Sequence, residues 1–278
     1  MPEGHTLHRL ALDHRKLLLG REVKASSPQG RFEEGAAAID GQKLVAVEAH
    51  GKHLFYDFEG GLMVHVHLGL FGRFRRRKVP FAEPRGAVRL RLATATACVD
   101  LSGPTACALI TSKERGKLLA RLGPDLLRDD ADPALAWGRI RRSRRAIGAL
   151  LLDQSVLSGV GNVYRAEGLF VAGIHPAIAG RALANEDFTR LWTTLAGMLR
   201  DGVRDRRIVT TAHPEGGAAR VRRGERTWVY KQASCRRCGG PVTCWALAAR
   251  TMYACEACQP TPLPASDETG ETFRPQIE

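Results

Sequence analysis

Two pairs of cysteines near the C-terminal end constrain the fold of this chain more than any other feature. Each pair has the spacing Cys-x-x-Cys, and sixteen residues lie between the pairs. Four thiolates in two such turns typically bind one zinc ion in a closed tetrahedral site. Apolar stretches at 242–247 and 251–254 predict a β-hairpin between the pairs, as in a zinc finger. We therefore predict one structural Zn²⁺, bound by Cys235, Cys238, Cys255 and Cys258.

The remaining cysteines and the N-terminal sequence bear on the cellular compartment. Cys98, Cys107 and Cys244 have no such spacing, and we expect them to be small buried hydrophobic side chains. The N-terminus lacks the basic-then-apolar pattern of a secretory signal, which favours metal binding and free thiols over disulfides. No apolar run is long enough to span a membrane. These features predict a cytoplasmic protein.

The charge balance indicates a class of partner. The chain has 278 residues, with 42 Lys and Arg against 29 Asp and Glu, and a formal net charge of +13. Such an excess of positive charge favours a polyanionic partner, first of all nucleic acid. The alternative is a generally basic surface without a specific ligand.

The N-terminal half has the pattern of one helix followed by a β-sandwich. Apolar residues recur at helical spacing between residues 7 and 18, and Gly20 ends the run. Short apolar or alternating segments separated by glycine turns then predict antiparallel strands. The predicted strands are 44–49, 53–58, 62–68, 88–92 and 97–101.

The C-terminal half is predicted to be helical up to the cysteines. Asp132-Pro133 is typical of a helix start, and a strongly basic stretch follows at 139–145. Helices are predicted at 147–154, 162–170 and 187–202, with a compact two-turn link at 155–161 and a mobile basic loop at 203–227. Backbone N–H groups at 159–162 could bind a phosphate. The alternative is an ordinary helical hairpin whose glycines only serve the turn.

These patterns divide the chain into four regions. The predicted fold is α+β, with a β-sandwich domain, a helical domain with a helix-two-turn-helix, and a β-hairpin zinc finger. The boundaries are 1–125 for the N-terminal domain, 126–228 for the helical domain, 229–259 for the finger and 260–278 for a disordered acidic tail.

The first residues suggest covalent chemistry. If Met1 is removed, Pro2 becomes a free secondary amine at the chain terminus. Most α-amino groups titrate near about 7.7–8.0, so a useful fraction is unprotonated at neutral pH. An unprotonated amine can attack an aldehyde-like carbon and form a Schiff base, and the adjacent Glu3 could move a proton at the same carbon. A proline at position 2 is also common without any catalytic role, so these residues are not sufficient alone.

Taken together and in order, the motifs resemble those of the formamidopyrimidine-DNA glycosylase / endonuclease VIII family. The resemblance covers residues 2–259 and is closer to the endonuclease VIII branch. It is carried by the motifs at 1–4, 51–53, 67–72, 152–154 and 159–164, by the four cysteines, and by Arg250.

The resemblance implies a role for each matching residue. Pro2 would attack C1′ of the damaged nucleotide, Glu3 would transfer protons, and Lys52 and Arg250 would serve the β- and δ-elimination steps. His67, Arg121 and Asn162 would contact DNA, and Gly69, Leu70 and Phe71 would form a wedge in the base stack that the flipped lesion leaves.

Three departures from the family pattern are present. Thr6 stands where a second glutamate is usual, which puts a second carboxylate relay in doubt. The link from Tyr230 to Cys235 is shorter than usual and lacks its Gly and Pro. Gly69 replaces the glutamine that is typical of the endonuclease VIII branch.

The sequence therefore predicts a bifunctional DNA glycosylase and abasic-site lyase of base-excision repair. Oxidised pyrimidines are the expected lesions, damaged double-stranded DNA is the expected partner, and the protein is expected to be a nucleoid-associated monomer. The alternative is a catalytically silent DNA-binding module of the same fold. The joint presence of Pro2, Glu3, Lys52 and Arg250 favours the enzyme, because DNA binding alone needs no proline at the terminus.

Overall fold

The computed structural model describes residues 2–211 and 217–261. Its helices are α1 Gly4–Leu18, α2 Glu33–Ile39, α3 Ser112–Leu119, α4 Pro133–Ile140, α5 Ile147–Leu150, α6 Asn162–Val171 and α7 Asn185–Asp205. Its strands are β1 Lys24–Ser26, β2 Leu44–His50, β3 His53–Phe58, β4 Met63–His67, β5 Arg73–Arg77, β6 Val88–Ala93, β7 Cys98–Ser102, β8 Ala106–Ile110, β9 Thr243–Leu247 and β10 Arg250–Ala254. Residues 212–216 of the predicted basic loop and 262–278 of the predicted tail lie outside these ranges.

The N-terminal half is a sandwich of two four-stranded antiparallel sheets. One sheet has the strand order β1-β6-β7-β5 and the other β2-β3-β4-β8. Along β6, Val88, Leu90 and Leu92 are buried between alternating arginines, because successive side chains of a strand point to opposite faces. Helix α1 packs on β2 and on α7, so it joins the sandwich to the helical half. The predicted α+β fold with an N-terminal sandwich is confirmed.

The helical half and the C-terminal hairpin share one hydrophobic core. Leu169 and Phe170 of α6 and Leu195 of α7 lie in the same buried cluster as Met252 of β10. The two-stranded hairpin β9–β10 therefore packs on α6 rather than extending freely into solvent. The boundaries that we placed at 125, 228 and 259 stay predictions. No helix in the described part of the chain is long and apolar enough to cross a membrane.

Some predictions about local structure were wrong. The predicted helix 147–154 shortens to Ile147–Leu150, because the Asp153 carboxylate accepts hydrogen bonds from the N–H and hydroxyl of Ser155 and turns the chain. Cys244 is exposed, not buried, because it lies in the two-stranded hairpin β9–β10. Helix α3 was missed, although Thr111 and Glu114 form a capping box that its sequence signals.

The turn of the finger hairpin has an unusual composition. Ala248 and Ala249 connect β9 to β10 with φ angles of 54° and 56°. A two-residue turn with both φ angles positive is strongly preferred for Asn-Gly, whereas a left-handed residue with a β-carbon costs about 1–2 kcal/mol. The hairpin thus contains backbone strain directly before Arg250.

Replacing Ala248-Ala249 with Asn-Gly should raise the free energy of unfolding by about 1–2 kcal/mol, because it relieves this strain. Chemical denaturation of the intact protein measures the change. The control is Ala246→Gly, which lies in strand β9 of the same hairpin and should lower stability. A double variant that is less stable than the parent would contradict the strained-turn interpretation.

Candidate active site

A cavity of about 250 Å³ brings together residues from distant parts of the chain. It lies where the start of α1, the β2–β3 turn, the loop after β4 and the finger hairpin meet. Its lining residues are Pro2, Leu7, Lys52, His67, Leu68, Gly69, Leu70, Gln154 and Arg250. Most residues that the sequence singled out as catalytic or wedge-forming therefore surround one space.

Pro2 is held at this cavity by the docking of the residue that begins α1. The N–H of Gly4 donates to the carbonyl of Gly159 over 2.8 Å. A β-carbon at Gly4 would lie 2.9 Å from the Gly159 α-carbon, so only glycine permits this close approach. Pro2 stays partly exposed beside the cavity while the chain after it is fixed.

Glu3 is fully buried at the N-terminus of α6. Its carboxylate accepts the N–H groups of Gly161 at 2.8 Å, Val163 at 2.9 Å and Tyr164 at 3.4 Å. Burial raises the pKa of Glu3, while nearby Lys52 and these N–H groups oppose the shift. A carboxyl group with a raised pKa holds a proton more readily than an exposed carboxylate, which suits it to proton transfer.

This arrangement corrects the predicted phosphate site at 159–162. The N–H of Gly161 binds Glu3, and the N–H of Gly159 donates to the Gln154 side chain at 3.0 Å. A buried helix N-terminus favours an anion, and here the chain itself supplies the carboxylate. The start of α6 therefore orients Glu3 instead of receiving a phosphate at these two N–H groups.

Lys52 lies in the tight turn between β2 and β3. Gly51 has a φ of 56°, and its N–H donates to the Asp125 carboxylate at 2.7 Å. The same carboxylate is 2.6 Å from Nε2 of His8, so α1 and this turn share one anchor. Burial lowers the pKa of Lys52, and Arg250 lowers it further while Glu3 raises it. Lys52 therefore loses its proton to give the neutral amine more readily than a surface lysine does.

Three histidines lie side by side on β3 and β4, next to Lys52. His53 Nδ1 is 2.9 Å from His65 Nε2, and the His53 and His67 rings are 4.9 Å apart. Burial lowers the pKa of His53 to about 3 and that of His65 to about 4. His67 Nδ1 accepts the N–H of Gly69 at 3.2 Å, which places the His67 proton on Nε2.

The other predicted DNA contacts differ in their placement. Arg121 is exposed and close enough to His53 to lower its pKa, so it lies on the histidine side of the site. Asn162 is buried instead, and its amide donates to the carbonyl of Thr251 at 3.0 Å. The phosphate contact of Asn162 stays a prediction. A phosphate would have to compete with this hydrogen bond to the finger.

The wedge residues are the most outward-facing apolar groups near the cavity. Leu70 is 46% exposed and Phe71 is 82% exposed, although both are large hydrophobic side chains. Exposed apolar groups at the rim of a cavity favour contact with an apolar partner surface. Gly69 precedes them with a φ of 63° and lines the cavity through its backbone.

Sequence analysis missed two buried charges on α6. Arg165 is fully buried and donates to the carbonyls of Gly148 at 3.1 Å, Leu247 at 3.2 Å and Thr251 at 3.3 Å. The carboxylate of Glu167 accepts the N–H groups of residues 228, 229 and 230 at 2.7–2.9 Å. Both side chains fix the finger to α6, and the helical pattern alone does not separate them from surface charges.

The four cysteines form a cluster that could hold a metal ion. Their sulfur atoms all lie within 4.8 Å of one another. Cys235 and Cys258 are 3.9 Å apart and Cys238 and Cys255 are 3.5 Å apart, which is too far for disulfides. The predicted cluster of four cysteines is therefore confirmed.

A larger cavity of about 610 Å³ lies on another face of α1. It is lined by His8 and Arg15 of α1, by 127–130, and by residues of α7 that include Arg200. It contains neither Pro2 nor Lys52, and its acidic and basic groups are mixed. The smaller cavity, which Pro2 and Lys52 line together and whose Pro2 is followed by the buried Glu3, is the candidate site for the chemistry.

Comparison with known proteins identifies, for most of the chain, the same family that the sequence motifs resemble. Residues 1–105 match the family model of the formamidopyrimidine-DNA glycosylase N-terminal domain, and residues 122–213 match that of the formamidopyrimidine-DNA glycosylase H2TH domain. The fold resembles that of a Lactococcus lactis Fpg protein solved with a DNA and an inhibitor. That comparison has a TM-score of 0.78 and 21% identity, and it covers 94% of this chain and 100% of the other.

Two curated relatives are similar over nearly their whole length. Endonuclease 8 1 of Mycobacterium tuberculosis (strain ATCC 25618 / H37Rv) is 45% identical over 267 residues, which cover 93% of this chain and 100% of that protein. A formamidopyrimidine-DNA glycosylase of Thermomicrobium roseum is 30% identical over 81% of this chain and 84% of its own. The chain therefore belongs to the formamidopyrimidine-DNA glycosylase / endonuclease VIII family of DNA glycosylases and abasic-site lyases, which act in base-excision repair.

Proposed function

We propose that this protein excises oxidised bases from double-stranded DNA and then cleaves the strand, with Pro2 as the nucleophile. The observation that carries the proposal is the shared cavity. Pro2 and Lys52 both line it, and burial raises the pKa of Glu3, the residue that follows Pro2. A DNA-binding module without catalysis has no need for this arrangement.

The proposed chemistry begins at the nitrogen of Pro2. Once Met1 is absent, the lone pair of the Pro2 nitrogen forms a bond to C1′. The bond from C1′ to the damaged base breaks at the same time, and the base leaves with a proton. Opening of the sugar ring then gives a positively charged iminium, because the amine is secondary. Glu3 supplies and removes protons in these steps from its place at the start of α6.

Strand cleavage follows from the electron demand of the iminium. The positive charge makes a C2′ proton acidic, and its removal expels the 3′ phosphate in a β-elimination. Lys52 is placed to take part because its pKa is lowered and it lines the same cavity. Arg250 approaches from the finger and would neutralise the 5′ phosphate that leaves in the δ-elimination.

We propose that the DNA-binding surface surrounds this cavity. His67 carries its proton on Nε2 and can donate it to a phosphate, with Arg121 nearby and Asn162 at the finger. The exposed arginines at 139–145 would add phosphate contacts. We expect a monomer that works in the cytoplasm in association with the nucleoid.

We propose that the four cysteines bind one structural Zn²⁺. Zinc–sulfur bonds of about 2.3 Å in a tetrahedron give sulfur–sulfur distances of about 3.8 Å. The observed separations of 3.5 and 3.9 Å fit that geometry before any adjustment. Four protein ligands leave no position for substrate, so the metal would hold the hairpin that carries Arg250.

The wedge supports a preference for oxidised pyrimidines. Leu70 and Phe71 are adjacent and exposed, so one side chain can fill the vacated stack while the other stacks on a neighbouring base. Gly69 has no side chain with which to read the orphaned base. We therefore propose excision of thymine glycol and dihydrouracil ahead of 8-oxoguanine, with weak discrimination between opposite bases.

Single-turnover kinetics on matched duplexes that differ only in the lesion tests the proposed function. Thymine glycol and dihydrouracil should be released faster than 8-oxoguanine opposite cytosine. Faster release of 8-oxoguanine would refute the pyrimidine preference. Binding of all duplexes without release of any base would instead support the catalytically silent module.

The wedge makes a separate prediction on the same substrates. Leu70→Ala should slow base excision about ten- to a hundredfold, because extruding a base costs a few kcal/mol and the leucine offsets part of that cost. Cleavage at a preformed abasic site should change little, since no base must be extruded there. Leu135→Ala, which truncates another exposed leucine, on α4, is the control. Equal losses on both substrates would contradict the wedge.

A further inference from the structure

The side chain of Thr105 stands where a side chain at position 69 would begin. A β-carbon at Gly69 would lie 1.8 Å from the hydroxyl oxygen of Thr105 and 3.1 Å from its β-carbon. The φ of 63° adds strain for any residue except glycine. The hydroxyl of Thr105 thus occupies the space into which a side chain at position 69 would project.

Thr105 is fixed in this place by the turn between β7 and β8. Its N–H donates to the carbonyl of His67 at 2.9 Å, which attaches the turn to the end of β4. On the same turn, a β-carbon at Gly103 would lie 3.5 Å from the carbonyl oxygen of Phe71. The turn therefore packs along the wedge loop at both of its ends.

The hydroxyl of Thr105 is available to a ligand. Thr105 is exposed, and across the described residues its side chain has no hydrogen-bond partner. The neighbouring wedge groups Leu70 and Phe71 are apolar, and the first wedge position is a glycine without a side chain. Thr105 thus offers a free polar group directly beside the wedge.

We propose that the Thr105 hydroxyl binds the orphaned base that faces the vacated site after the lesion is flipped. This inference rests on the proposed function of Leu70 and Phe71 as the wedge. Base extrusion leaves the opposite base with unpaired donors and acceptors, and a hydroxyl can both donate and accept. Any of the four bases can therefore satisfy it, so Thr105 supports excision while keeping opposite-base discrimination weak.

The test compares Thr105→Val, which keeps the shape without the hydroxyl, with Thr105→Ser, which keeps the hydroxyl. Single-turnover excision of thymine glycol is measured opposite each of the four bases. Losing one hydrogen bond should slow Thr105→Val about five- to tenfold opposite every base, whereas Thr105→Ser should stay within about twofold of the parent. Thr193→Val, an exposed threonine on α7, controls for the substitution type.

Cleavage of a single-stranded abasic oligonucleotide separates this role from a structural one. That substrate has no opposite base, so Thr105→Val should cleave it at the parental rate. Equal slowing on the single strand, or unchanged excision from all four duplexes, would overturn the proposal. A parent protein that released no base from any duplex would be a failure of the proposed function, which is recognised without any variant.

Discussion

Blocking the nitrogen of Pro2 should reduce borohydride-trapped adducts with abasic DNA at least about a thousandfold, the scale of losing a catalytic nucleophile. Borohydride reduces a Schiff base to a stable amine, so the yield of adduct reports the covalent intermediate. An amide bond to a preceding residue delocalises the lone pair of the Pro2 nitrogen into the carbonyl group, so the nitrogen can no longer attack C1′. A free α-amino group titrates near pH 7.7–8.0, so an unblocked terminus has a reactive fraction at neutral pH.

The comparison uses one preparation before and after removal of an N-terminal tag. The tagged form should bind the abasic duplex but give almost no adduct, and cleavage directly before Pro2 should restore the yield. Digestion and mass spectrometry of the adduct should place the modification on Pro2. Because the same polypeptide serves as its own control, differences in folding between two preparations do not enter.

Lys52 is the internal amine that could take over this role. It lines the cavity with Pro2, and burial lowers its pKa, so it is the strongest competitor as a nucleophile. Lys52→Arg keeps the positive charge but cannot form a Schiff base, and we expect this variant to trap DNA through Pro2. Robust trapping by the tagged protein, with the adduct on Lys52, would show that the assignment of Pro2 is wrong.

Sequence motifs predicted the parts of the site whose chemistry is local. Pro2 and Glu3 are adjacent, the wedge is a run of three residues, and each cysteine pair has a diagnostic spacing. Five of the eight strands in the two sheets, β2, β3, β4, β6 and β7, also follow from local apolar patterns, whereas β1, β5 and β8 were not predicted. In each case the information lies within a few consecutive residues.

Contacts between distant residues were not predictable in this way. The carboxylate of Glu3 accepts the N–H of Gly161, and nothing near Glu3 identifies that partner. The sequence pattern predicts a phosphate at the same N–H groups, because a helix N-terminus attracts anions without specifying their origin. Arg165 and Glu167 look like ordinary surface charges of a helix until the finger covers them.

Removing the proposed Zn²⁺ from the cysteine cluster should abolish strand cleavage on duplex DNA. Structural zinc contributes about 10–16 kcal/mol in zinc-finger peptides at neutral pH, which is comparable to the whole stability of a typical domain. Here Cys235, Cys255 and Met252 belong to the core that also contains α6. Loss of the metal should therefore disorder the hairpin and expose part of that core, rather than release an independent finger.

Arg165 adds to the destabilisation that the loss of four bonds to the metal would cause. The carbonyls of Leu247 and Thr251 in the hairpin accept hydrogen bonds from its buried guanidinium. If the hairpin moves, this buried charge loses acceptors, and an unsatisfied buried charge is strongly destabilising. Arg250, which lies between these two residues on the hairpin, should leave the cavity at the same time.

Cys238→Ser and Cys244→Ser form a matched pair for this prediction. Both cysteines are exposed and lie in the same finger, but only Cys238 belongs to the cluster of four that could hold a metal ion. Cys238→Ser should lose the stoichiometric zinc and slow cleavage of an abasic duplex at least about a hundredfold, with any remaining product ending at β-elimination because Arg250 is displaced. Cys244→Ser should keep both the metal and the activity. The proposal is that this metal holds the finger against α6 and thereby keeps Arg250 in the cavity. It would be contradicted by a metal-free protein with full activity, or by an equal loss of activity in the two variants.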